Sequence, residues 1–75
     1  MEKKYPTFGV VLRRLRLARG WSQEELAERM EMASHAHISR LESGRKQPTV
    51  AMLFRAAEAL EIKAWEFVKV MEEKG

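Results

Sequence analysis

Residues 22–44 read SQEELAERMEMASHAHISRLESG, and this stretch decides the fold. Its first four residues, Ser22-Gln23-Glu24-Glu25, form a capping box. The Ser22 hydroxyl can accept the Glu25 amide while the Glu25 carboxylate reaches back to the Ser22 amide, so two orphan donors at a helix start are satisfied together. Trp21 before the cap and Leu26 four residues into the helix make the matching hydrophobic staple. Leu26, Ala27 and Met30 supply the buried side of this helix, expected over about residues 23–30. A second helix opens at Ser34, spans about 35–43 and stops at Gly44, a residue that adopts the left-handed closing conformation at little cost. Its apolar edge is thin, Ile38 and Leu41 alone. A helix held only by that inner edge leaves its outer face for something else.

Working outward, apolar residues recur at helical spacing almost throughout, and nothing reads as strand. Towards the N-terminus, a helix over about 7–19 places Phe8, Leu12 and Leu15 on one face, widened by Val11 and Ala18. Gly20 ends it, with Arg19 placed well against the C-terminal dipole. Towards the C-terminus, Pro48-Thr49 opens a helix over about 50–60 that should bury Val50, Leu53, Ala57 and Leu60. A last helix over about 64–72 carries Trp65, Phe67, Val68 and Met71. The expected fold class is all-α: a compact bundle of five short helices in a single domain over residues 1–75.

Composition narrows the function. The 75 residues contain no cysteine, which removes disulfides and thiolate metal sites and leaves apolar packing to hold the fold. No apolar run approaches the roughly 20 residues needed to cross a bilayer. Lys3 and Lys4 resemble the start of an export signal, but the run that should follow is broken by Arg13, Arg14, Arg16 and Arg19. A cytoplasmic location is therefore expected. Net charge is +3, distributed unevenly: residues 1–50 carry ten Lys/Arg against six Glu, and residues 51–75 carry four against five. A basic front half suits a polyanionic partner. The major groove of double-stranded DNA is wide enough for one helix, and the 35–43 segment is the candidate to enter it. Glu24, Glu25 and Glu28 complement a helix N-terminus, and no nucleophile, base and orienter assemble into a catalytic set. His35 and His37 point in different directions on a helix, which disfavours a metal site. No cofactor and no small-molecule substrate are implied.

The segment from Phe8 to Val68 resembles the helix-turn-helix domain of the Cro and phage-repressor (XRE-like) family. The resemblance lies in Leu15-Arg16 with Gly20, Ser22-Gln23-Glu24-Glu25-Leu26-Ala27, Ile38-Ser39-Arg40-Leu41-Glu42-Ser43-Gly44, Pro48-Thr49 and Ala56-Ala57-Glu58-Ala59-Leu60, in that order and spacing. In size and in its apolar fifth helix the chain is most similar to the small controller proteins of restriction–modification systems. The resemblance implies a lambda-repressor-like five-helix fold and sequence-specific DNA binding by a transcriptional regulator. His35, Ala36 and Arg40 then fall where family members face base edges. Gln23, His37, Ser39, Arg45 and Lys46 fall where they meet the DNA backbone. Arg16 and Glu42 occupy the positions of an ion pair that ties the first helix to the end of the third.

Two departures from the family pattern stand out. Its usual glycine between the second and third helices is replaced by Glu31-Met32-Ala33-Ser34, in a connection one residue longer. Glu61 also stands where the fourth helix commonly ends on Gly, and a left-handed glutamate there costs on the order of 1 kcal/mol. The apolar surplus of Trp65, Phe67, Val68 and Met71 on the last helix has two readings: the residues cap the core, or Phe67, Val68 and Met71 form a homodimer seam that acts on a palindromic operator. A competing class is a protein-binding module, such as an antitoxin or a bridging factor. Against it, the third helix offers Arg40, His35 and a basic following loop rather than a large apolar patch.

Overall fold

A computed structural model describes residues 8–32 and 34–72. Within them the chain forms five helices and no strand: α1 Phe8–Ala18, α2 Gln23–Arg29, α3 His35–Glu42, α4 Val50–Leu60 and α5 Ala64–Glu72. The expected bounds of α4 and α5 coincide with these, and the C-terminal ends of α1, α2 and α3 come one residue earlier. The Thr7 start expected for α1, the Lys3-Lys4 pair, and Ala33 of the α2–α3 connection lie outside the described residues.

Local chemistry sets the helix starts. Ser22 Oγ accepts the Glu25 amide at 3.0 Å, and the Ser22 amide donates to Glu25 Oε1 at 3.1 Å, completing the capping box. Ser34 Oγ accepts the Ala36 amide at the head of α3, and Thr49 Oγ1 accepts the Met52 amide at the head of α4.

The first four helices close in one way. After each, two backbone amides turn back into the last turn, as in Gly20 N to Leu17 O with Trp21 N to Arg16 O, and Gly44 N to Leu41 O with Arg45 N to Arg40 O. Glu31 and Glu61 play the same part after α2 and α4, through Glu31 N to Glu28 O with Met32 N to Ala27 O, and Glu61 N to Glu58 O with Ile62 N to Ala57 O. Each of the four closing residues is left-handed, at φ 73° and 81° for Gly20 and Gly44 and 58° and 59° for Glu31 and Glu61. This is the Schellman closure, built twice on glycine and twice on glutamate. The missing glycine between α2 and α3 is thus met by a left-handed Glu31, and the additional length follows it.

The core gathers Phe8, Val11 and Leu12 from α1, Leu26 and Ala27 from α2 with Met30 just past it, Ile38 and Leu41 from α3, Ala56 and Leu60 from α4, and Phe67 from α5. Phe8 and Phe67 stack with ring centroids 4.9 Å apart, joining the first helix to the last.

Three expectations are corrected here. Phe67 is fully buried against Phe8, so it has no surface to contribute to a dimer seam. Val50 is 70% exposed: it is the first residue of α4, two turns before the buried positions Ala56, Ala57 and Leu60 near the other end of the helix. Ala18 is exposed because it sits in the final turn of α1, just before the chain swings away at Gly20.

Candidate nucleic-acid interface

Helix α3 is fastened along one edge and at its end. Ile38 and Leu41 are the buried edge. At the end, Glu42 accepts from Arg16 Nε at 2.7 Å and from the second guanidinium arm at 3.1 Å, a two-pronged pair whose side chains are 9% and 5% exposed. The remaining arm of Arg16 donates to the Trp21 carbonyl at 2.7 Å, and Gln23 Nε2 donates to Glu42 Oε1 at 3.1 Å. Burying both ions is costly unless their remaining donors and acceptors find partners, and this network supplies them. No buried side-chain polar atom among the described residues lacks a hydrogen-bond partner. The pair therefore ties α1, the head of α2 and the end of α3 into one rigid corner.

Gly9 completes that corner, and sequence reasoning missed it. A Cβ built on Gly9 would lie 1.9 Å from the Leu41 carbonyl oxygen and 2.9 Å from Glu42 Cα, so α1 and α3 touch backbone to backbone. The available signal was a glycine inside an otherwise helical pattern, which costs helix stability and needs a packing reason.

With its inner side fixed, α3 turns the remaining residues outward. His35, Ser39 and Arg40 are exposed, and Ala36 and His37 are half-buried. Ala36 and Arg40 are four residues apart and His35 precedes Ala36, so the three fall along one side of the helix. Arg45 and Lys46 follow Gly44 on the exposed loop, and Lys46 Nζ lies 3.5 Å from His37 Nδ1. His35 Nδ1 lies 4.0 Å from Glu24 Oε2 of α2. Gln23 is half-buried at the first position of α2, with one amide hydrogen committed to Glu42 and the other available. The sequence-selected residues thus fall into two places: His35, Ala36, Ser39 and Arg40 on the open side of α3, and Gln23, His37, Arg45 and Lys46 around its margins.

This arrangement offers an exposed guanidinium that can grip guanine O6 and N7 together, beside basic groups placed to meet a polyanion. Elsewhere, no helix among the described residues is long and apolar enough to cross a membrane. No group of three or more His, Asp or Glu there is arranged to hold a metal ion.

The comparisons with known proteins fall in line with this geometry. A helix-turn-helix family model, HTH_3, matches residues 12–64. The chain is 40% identical to the HTH-type transcriptional regulator y4dJ of Sinorhizobium fredii over 60 residues, 80% of this chain and 77% of that protein. It is similar in structure to the restriction–modification controller protein C.AhdI of Aeromonas hydrophila, with a TM-score of 0.75 and 33% identity over 80% of this chain and 89% of that one. It is also similar to the clp gene regulator ClgR of C. glutamicum, with a TM-score of 0.80 and 29% identity over 88% and 84% of the two chains.

Proposed function

This chain belongs to the HTH_3 helix-turn-helix family of DNA-binding transcription regulators, and from that premise we propose that it is a cytoplasmic regulator that binds a palindromic operator as a homodimer, with α3 as the reading helix. The observation that carries the reading is the asymmetry of α3. Its inner edge is buried and its end is locked by the Arg16–Glu42 pair, while Arg40 and His35 stand in solvent. A locked helix presents its side chains in a fixed register, and register is what base discrimination requires.

In this reading Arg40 holds a guanine edge, Ala36 packs on a thymine methyl and His35 hydrogen-bonds a neighbouring base. Gln23, His37, Ser39, Arg45 and Lys46 meet phosphates, which position the protein without specifying sequence. The dimer seam is revised to exclude Phe67. Val68, 40% exposed, and half-buried Met71 remain for it, and Trp65, 60% exposed, joins them on α5. A two-fold seam there would set two α3 helices roughly 34 Å apart, one turn of DNA.

Selection of bound duplexes from a random pool tests the whole proposal, since the enriched sequence reports both specificity and half-site spacing. Enrichment of a palindrome with half-sites one or more helical turns apart is the expected result. A pool that emerges unenriched, with no gel shift even in dilute buffer, would rule the function out.

A further inference from the structure

Among the described residues the large apolar side chains left in solvent fall in pairs, one pair to a helix: Val10 and Leu17 on α1, Val50 and Phe54 on α4, Trp65 and Val68 on α5. Val50 and Phe54 are four residues apart, so they lie on one stripe of α4, 70% and 58% exposed. Ala51 beside them is exposed as well. The core is built without this stripe, since α4 buries Ala56, Ala57 and Leu60 instead.

Area and charge decide what covers it. At 60% exposure Trp65 offers about 150 Å², and Val68 with half-buried Met71 brings the α5 seam to roughly 300 Å². A specific interface of ordinary size buries about 800 Å² on each partner. The α5 seam alone falls well short. Phe54 and Val50 nearly double its apolar surface, and α4 packs directly against α5. Charge separates α4 from the other candidate, α1. Val10 and Leu17 share their groove with Arg13 and Arg14, and the carboxylate that lines it, Glu42, is already held by Arg16. A two-fold contact there would set two guanidiniums of one copy against two of the other. The exposed charges on α4 and α5 are mixed, Arg55 with Glu58 and Lys69 with Glu72, a rim that can face a copy of itself.

We propose that the Val50–Phe54 stripe of α4 docks a second copy of this chain, extending the α5 seam into one interface with Phe54 and Trp65 as its aromatic anchors, and that the α1 groove stays outside it. This surface presupposes the homodimer reading above and supplies the area that the α5 seam lacks.

Sedimentation equilibrium of the full chain, free of DNA, reads the association, with circular dichroism confirming that each variant is folded. The wild type should be dimeric. Phe54→Glu should weaken dimerisation at least about tenfold, as loss of an aromatic anchor does, and Leu17→Glu should leave it within about twofold. Because the chain has no cysteine, a single introduced thiol maps the contact without charging it. Maleimide should react with Val50→Cys severalfold more slowly in concentrated, dimeric protein than in dilute protein, and with Leu17→Cys at one rate throughout. If Phe54→Glu dimerises like the wild type and Val50→Cys reacts at one rate while Val68→Asp is monomeric, the seam is confined to α5; the proposal is overturned and the homodimer reading stands. Dissociation by Leu17→Glu with Phe54→Glu unaffected moves the seam to α1 and overturns the proposal too. A wild type that is monomeric at every concentration overturns both.

Discussion

Gly9 and Leu41 meet so closely that a methyl group on residue 9 would lie 1.9 Å from the Leu41 carbonyl oxygen. In an exposed helix interior, Gly→Ala stabilises by up to about 1 kcal/mol. At Gly9 the sign reverses, because the obstacle is backbone at the end of α3 and cannot rotate away. Gly9→Ala should destabilise by about 1–3 kcal/mol, the usual cost of overpacking. Thermal melting followed by circular dichroism checks this, and an unchanged or raised midpoint would show that α1 and α3 can part without cost.

The Arg16–Glu42 pair predicts a different signature. Removing one partner strands a buried ion, so Glu42→Gln should cost about 3–5 kcal/mol. Replacing both partners with apolar residues, Arg16→Met with Glu42→Leu, should cost less than the two single changes added together. Urea denaturation of the four proteins in a double-mutant cycle measures that coupling. Additive losses would mean that the two side chains act independently.

How far these features were legible in the sequence depends on the range of the interaction. Ser22, Ser34 and Thr49 were readable because a cap is chemistry within three residues of itself. Arg16 and Glu42, 26 residues apart, came from the family resemblance, since no local pattern pairs them. The burial of Phe67 was not legible. Its helix carries apolar residues on several sides, and only the placement of α1 decides that Phe67, rather than Val68 or Trp65, meets Phe8. Gly9 escaped for the same reason, because its partner is a carbonyl oxygen on another helix and carries no sequence mark. On α3, the two buried positions, Ile38 and Leu41, were the ones the thin apolar edge had selected, and the exposure of His35, Ser39 and Arg40 followed from them.

The left-handed glutamates offer a gain in stability. Glu31 and Glu61 close α2 and α4 at φ 58° and 59°, where a side chain costs about 1–2 kcal/mol that glycine avoids. Glu31→Gly and Glu61→Gly should each raise the urea midpoint, by something under that range because glycine also loosens the unfolded chain. The Arg19–Glu61 contact at 3.8 Å is not expected to reverse this, since the Glu61 side chain is 83% exposed. A lowered midpoint in both variants would place the helix ends in another conformation.

Phe67 and Val68 are neighbours in sequence with opposite expected roles. Phe67→Ala opens a cavity beside Phe8 and should cost about 3–5 kcal/mol. Val68→Asp places charge on an exposed position and should leave the fold intact while weakening self-association. Light scattering over a concentration series, alongside circular dichroism of both variants, separates the two. A wild type that stays monomeric at high concentration would remove the α5 seam from the functional reading.

Arg40 and Lys46 distinguish reading from holding. An arginine bidentate to guanine contributes about 1–3 kcal/mol of discrimination at one base pair, whereas a lysine on phosphate contributes a counterion-release term common to all sequences. Arg40→Ala should therefore narrow the gap between operator and random duplex, with random-duplex affinity lowered less. Lys46→Ala should weaken both to a similar degree and flatten the dependence of log affinity on log salt by about one unit. Gel shifts on the selected operator and on a scrambled duplex, each across a salt series, give both quantities from the same titrations. If Arg40→Ala left the gap unchanged, the bases would be read by other residues. The open side of α3 would then serve orientation alone.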